Sequence, residues 1–184
     1  MPDEHEWPKV KSLIYSWARR SPASNSLIVA LAHLSSTDRI LDIGCGPGDA
    51  VRRAARIVVE GRAVGVDRSQ AMVTIARRRT QGLGNIEFKV GAAEALPFPD
   101  DTFTVVWTVS AFHHWADPDT GLAETQRVLA PGGRLIIVEG QTSGAHGLSA
   151  TGAEELCAEL RRSGWAQPVM SRHQKEFVVS AHAR

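Results

Sequence analysis

A chain of 184 residues, 43% hydrophobic and 22% charged, is long enough for one domain with a real core and too short for two comfortable ones. A formal net charge of +1 excludes a global field that recruits nucleic acid or a membrane surface. Cys45 and Cys157 stand far apart, in no metal-ligand or CxxC spacing, and the polar start MPDEHEWPKVKS has no apolar signal core, so the expectation is a reduced, cytoplasmic chain without a membrane anchor.

Apolar and polar residues mix at helical spacing over 9–20 and 23–35, the second run opened by Ser21 as N-cap with Pro22 in its first turn. RILDI (39–43) reads as a buried strand, and DAVRRAARIV, after a run of glycines, as a helix. RAVGVD (62–67) is a second strand, SQAMVTIARRR a second helix and NIEFKV (85–90) a third strand. TFTVVWTV and GRLIIVE (133–139) are the fourth and fifth, separated by a helix capped by Asp117 with Pro118 in its first turn. Strands alternating with helices imply a parallel sheet covered on both faces. The tail differs. Thr151 and Glu154 have capping-box spacing for a helix reaching about Ser163. Two strand-like runs near 167–173 and 175–182 are joined too tightly for a crossover helix, which predicts an antiparallel hairpin at one sheet edge.

The glycine loop after the first strand, GCGPGD, raises the question of its ligand. A dinucleotide fingerprint needs G-x-G-x-x-G, and here the third glycine comes one residue early. A phosphate-cradling P-loop needs a lysine that is absent. The loop therefore invites close backbone approach without phosphate hardware. Asp42, in the first strand, suits a ligand carrying an ammonium group.

The blocks LDIGCGPG (41–48), VGVDRSQAMVTIA (64–76), GAAEALPFPDDTF (91–103), FHHWADP (112–118) and RVLAPGGRLIIVE (127–139) resemble, in order and spacing, class I S-adenosylmethionine-dependent methyltransferases of the type-11, small-molecule group. The resemblance implies an α/β, Rossmann-like, doubly wound seven-stranded sheet, mostly parallel with the antiparallel C-terminal hairpin and helices on both faces. It implies one domain over 1–184: an N-terminal helical lid or cap (1–37), a cofactor-binding core (38–140), and a C-terminal helix and hairpin (141–184). Its cofactor would be S-adenosyl-L-methionine, held by Asp42, Gly44, Cys45, Gly46, Gly48, Asp67, Arg68, Ala92, Ala93, Glu94, Thr108, Val109 and Ser110. In this scheme Asp67 grips the vicinal ribose hydroxyls, the three glycines let the ligand lie on bare backbone, and residues 108–110 offer backbone groups to its methionine end. Two positions depart from the pattern. Ala92 stands where the family commonly has an acid for the adenine amino group, with Glu94 nearby but expected to face solvent, and Thr104 replaces an aspartate before the fourth-strand run.

Methyl transfer from a sulfonium is an in-line displacement with a good leaving group, so alignment and, for some acceptors, proton removal are what the protein must supply. No metal is required and no metal-ligand spacing is visible. His113 and His114 are the sequence-local candidates for a base, with His113 preferred for the pocket and His114 for a structural bond. Phe112 and Trp115 are candidate pocket walls, and Tyr15 and Trp17 candidate lid residues. The acceptor is expected to be a small molecule. A nucleic-acid partner is disfavoured, since no Asn/Asp-Pro-Pro-aromatic tetrad or catalytic Pro-Cys pair is present. The short GQTSGAHGLSA segment suggests a pocket that is shallow, mobile, or completed by a second copy or a partner subunit. The competing readings are a non-catalytic or partner-dependent S-adenosylmethionine-binding protein and a nicotinamide-dependent oxidoreductase, the latter disfavoured by the glycine spacing.

Overall fold

A computed structural model describes residues 22–80, 82–142 and 146–184. In chain order the elements are α1 (Pro22–Leu31), β1 (Arg39–Ile43), α2 (Asp49–Ala55), β2 (Arg62–Asp67), α3 (Gln70–Arg78), β3 (Ile86–Val90), β4 (Phe103–Val109), α4 (Pro118–Val128), β5 (Leu129–Gly140), α5 (Ala150–Arg162), β6 (Ala166–His173) and β7 (Glu176–His182). A 3₁₀ turn, Phe112–His114, follows β4. The strands form one sheet in the order β3-β2-β1-β4-β5-β7-β6. β1 to β5 run parallel, and β7 and β6 close the far edge antiparallel. The Rossmann-like seven-stranded architecture with its terminal hairpin is as the sequence predicts.

Period-two alternation along each strand sorts side chains into two cores. Ile40, Ala63, Val105, Trp107, Ile136 and Val138 face α1, α2 and α3 through Ile28, Val51, Ala54 and Val73. Leu41, Val64, Val66, Val106, Leu135 and Ile137 face α4 and α5 through Leu122, Leu156 and Leu160. Helix α1 packs in the first of these layers: Ile28 in it and Ala32 just beyond it are fully buried, and burying an isoleucine alone contributes about 1.5–3 kcal/mol. The 9–20 helix, Ser21, Tyr15 and Trp17 lie outside the described residues.

Three boundaries differ from expectation. α1 ends at Leu31, and His33, two residues on, takes a positive φ of 44°. β5 begins at Leu129 rather than Gly133, because Leu129 pairs with Phe103 before the register shifts to Arg134 opposite Val105. The cap of α5 is Ser149, whose hydroxyl accepts from the Gly152 N–H at 2.9 Å; Thr151 lies inside the helix, so the capping-box reading fails by two residues.

Thr104 sits at the amino end of β4, the opposite edge of the sheet from the loops after β1 and β4. Its hydroxyl donates to Asp38 at 2.6 Å and accepts from the Arg39 N–H at 3.0 Å. Burial pushes the Asp38 carboxyl up, but the bonds from Thr104 and the Ser35 N–H and the charge and hydrogen bond of Arg134 outweigh it, and its pKa is lowered. A carboxyl depressed by folding stabilises above its ordinary value, and that contribution disappears as pH falls through the folded value. Thr104→Val should therefore cost about 1–2 kcal/mol at neutral pH. Urea titrations should show the gap to wild type narrowing below about pH 4. A pH-independent gap would show that Asp38 is not the group involved.

Candidate active site

Strand order reverses between β1 and β4, where α/β sheets open a crevice at the carboxyl edge. Pairing of β1 with β4 ends at Asp42 opposite Trp107, whereas β4 stays paired with β5 to Val109 opposite Val138. Thr108 and Val109 are thus paired on one side and unpaired with β1 on the other. Both side chains are buried, and Ser110, half-buried with φ of 48°, carries the chain out of the sheet. A non-glycine residue with positive φ is uncommon, and such strain clusters at functional sites.

The glycine loop faces this crevice. Gly44, Gly46 and Gly48 all have positive φ, at 75°, 55° and 78°. Their N–H groups are already used: Gly44 and Cys45 donate to Val66 O, Gly46 to Asp67 Oδ2 and Gly48 to Cys45 O. The loop does not present a nest of free donors, so it suits a ligand without phosphate at that point. Two of the glycines are needed by the protein itself. A Cβ on Gly44 would lie 2.6 Å from the Ala111 methyl, and one on Gly48 2.5 Å from the Phe88 ring. Cys45 is buried, and so is Asp42.

Asp67 ends β2 beside the loop. Oδ2 accepts from the Gly46 N–H and Oδ1 from the Ser69 N–H, both at 2.8 Å. A carboxylate has about four acceptor positions, so a pair of ribose hydroxyls still finds two. Arg68 is exposed. Ala92 is half-buried and Ala93 buried. Glu94 does not simply face solvent: its Oε1 accepts from the Ala116 N–H at 2.6 Å and the Asp117 N–H at 3.2 Å. Burial raises the Glu94 pKa, but its own N–H, those of Asp117 and Ala116, and the charge of Arg68 lower it further, and the net shift is downward. Glu94 therefore ties the loop after β3 to the loop after β4.

Across the crevice lies a pair that local sequence reading misses. His113 Nδ1 is 2.8 Å from Glu139 Oε2, and Glu139 Oε1 accepts from the Phe112 N–H at 2.7 Å and the His113 N–H at 3.4 Å. Glu139 is 1% exposed, at the carboxyl end of β5. A carboxylate can only accept, so Nδ1 carries the proton and Nε2 is the ring's acceptor. The His113 side chain is 15% exposed and reaches the surface, where the rings of His114 and His146 lie 4.0 and 5.9 Å from its own. His114 is exposed. Phe112 and Trp115 pack together at 4.9 Å against the second core, and Gly121 has no Cβ because the Trp115 ring occupies its place. Trp115 thus braces the loop against α4. Among the described residues, no group of three His, Cys, Asp or Glu side chains is placed to hold a metal ion. No described helix is long and apolar enough to cross a membrane.

This strand order, with a phosphate-free glycine loop and a strand-end acid at the switch point, defines the class I methyltransferase architecture. A family model described as Methyltransferase domain matches residues 41–137, and the chain belongs to that family, the type-11 class I S-adenosylmethionine-dependent methyltransferases. A demethylmenaquinone methyltransferase of Thermus thermophilus is 38% identical over 124 residues, covering 67% of this chain and 53% of the relative. The chain spans about half, or less, of the curated relatives it matches. Among solved structures, a SAM-dependent methyltransferase from Aquifex aeolicus superposes with a TM-score of 0.77 at 21% identity, covering 92% of this chain and 97% of the other. A Haloferax volcanii putative methyltransferase, solved in complex with the Trm112 methyltransferase activator, gives 0.76 at 22% identity, covering 97% and 96%.

Proposed function

We propose that this chain binds S-adenosyl-L-methionine at the carboxyl edge of β1, β2 and β4 and transfers its methyl group to a small-molecule acceptor, with His113 as the base that takes the acceptor's proton. The observation that carries this reading is the His113–Glu139 pair standing across the crevice from the glycine loop and Asp67. When bound, the cofactor supplies an electrophilic methyl on a sulfonium. Asp67 holds the ribose hydroxyls through its remaining lone pairs. Gly46 leaves the loop bare where the ligand passes, Asp42 lies beneath it, and Ser110 with the unpaired side of 108–109 meets the methionine end. Ala92 supplies no charge to the adenine, so that end is held by backbone near Ala93 and by shape. Glu139 fixes the His113 tautomer so that Nε2 receives the proton, and its charge stabilises the imidazolium that results.

Calorimetric titration with S-adenosylhomocysteine tests the cofactor half. Asp67→Asn keeps one acceptor oxygen and the loop contacts most nearly, yet should weaken binding about ten- to a hundredfold, the scale of lost charge-assisted hydrogen bonds. Unchanged affinity would remove Asp67 from the site. A partner-dependent variant of the reading is supported by the activator complex of the Haloferax volcanii neighbour; it predicts turnover that rises with added partner while cofactor affinity is already present in the isolated chain.

A further inference from the structure

We propose that the methyl acceptor carries a terminal anionic group, a carboxylate or a phosphate monoester, which docks on Arg172 and Lys175 while its nucleophile lies at His113. The proposal rests on the methyltransferase reading. Glu139 pairs with Phe177 on β7, and Phe177 pairs with Arg172 on β6. Directly opposed residues share a face of the sheet. Glu139, Phe177 and Arg172 therefore form one row on the face that also carries the His113 contact. Two inter-strand spacings set Arg172 about 10 Å from Glu139 along this row.

The tip of the β6–β7 hairpin is pinned beside the end of β5. Gln141 N–H donates to Lys175 O at 2.6 Å, and Thr142 N–H donates to Leu148 O at 3.1 Å. Gln141, Thr142, Arg172 and Lys175 then line a hollow of about 610 Å³, and among the described residues no acid lines it. The two neighbouring carboxylates are occupied: Glu139 by His113 and the Phe112 N–H, and Glu176 by the Ser24 hydroxyl. Arg172 and Lys175 are exposed, and among the described residues neither forms an ion pair. Cations on an edge strand also serve to discourage strand pairing. That role does not require Arg172 to share the row of Glu139, nor Lys175 to stand in the turn beside the end of β5. A guanidinium and an ammonium flanking one hollow match a planar carboxylate or a phosphate, the first in bidentate fashion and the second as a point charge. The acceptor accordingly carries its anion at the far end of the row from Glu139, the residue that holds His113.

The test uses the full chain saturated with S-adenosylhomocysteine and three probes: phenyl phosphate, 3-phenylpropanoate and the neutral 3-phenylpropanamide. Amide NMR shifts are expected at Gln141, Thr142, Arg172 and Lys175 with the two anions and not with the amide, and the relative affinities of the two anions distinguish phosphate from carboxylate recognition. The double variant R172Q/K175Q should weaken anion binding at least about tenfold, with S-adenosylhomocysteine affinity retained. Anion shifts elsewhere, equal binding of the neutral amide, or undiminished binding by the double variant would overturn the proposal. If the wild-type chain failed to bind S-adenosylhomocysteine, the methyltransferase reading would fall and take the acceptor role with it. Retained cofactor-product binding without anion shifts at the hollow overturns the anion site alone.

Discussion

Glu139→Gln should lower the rate of methyl transfer about 10²–10⁴-fold, nearly as much as His113→Ala, while S-adenosylhomocysteine affinity stays within about threefold of wild type. The two side chains are isosteric, so the difference is one of protons. In the wild-type pair Glu139 accepts from the Phe112 N–H with one oxygen and from His113 Nδ1 with the other. A glutamine can meet the backbone donor only by turning its carbonyl there, which aims its NH₂ at Nδ1. That forces the imidazole proton onto Nε2, and the atom that should accept becomes a donor. Loss of the buried charge also removes the stabilisation of the imidazolium. Retained S-adenosylhomocysteine affinity and an unchanged melting temperature beside the lost rate separate this from a loss of packing. A Glu139→Gln enzyme with a wild-type rate would confine the pair to structure.

Much of the frame was legible because it rests on local signals. β1 and β2 fall on the residues read from RILDI and RAVGVD, and Asp117 caps α4, accepting from Asp119 and Thr120 N–H. The glycine loop and Asp67 are sequence-close enough that twenty-one residues separate Gly46 from the carboxylate that accepts its N–H. What escaped is non-local. Glu139 lies 26 residues from His113, and only the parallel pairing of β4 with β5 brings them together. A signal was present nonetheless: LIIVE, like RAVGVD, is an apolar strand ending in an acid at the carboxyl edge. Glu94 was read as solvent-facing because nothing local shows that residues 116–117 come back to it. Spacing also does not tell that Thr104 lies at the amino edge of the sheet, where its hydroxyl bonds Asp38. The row linking Glu139 to Arg172 needs the antiparallel register, which a hairpin prediction alone does not set.

The three loop glycines should respond differently to a side chain, and the difference separates packing from ligand approach. Gly48→Val places its Cβ where the Phe88 ring already lies, at a φ of 78° that a branched residue resists. Phe88 is 3% exposed, between β2 and α3, and has no room to withdraw. Overpacking and left-handed strain together should cost about 2–5 kcal/mol, or roughly 5–15 °C in Tm for a chain of this size. The left-handed strain of Gly46→Val, at φ 55°, costs about 1–2 kcal/mol. Gly46 is buried and its N–H holds the Asp67 carboxylate at 2.8 Å, so a branched side chain there should displace the group proposed to hold the ribose. Gly46→Val should therefore abolish S-adenosylhomocysteine binding in calorimetry while its far-ultraviolet circular dichroism and cooperative melting persist. The contrast is the check: if Gly46→Val binds normally, the loop does not cradle this ligand, and if Gly48→Val melts as wild type, the Phe88 contact does not hold the loop on β3.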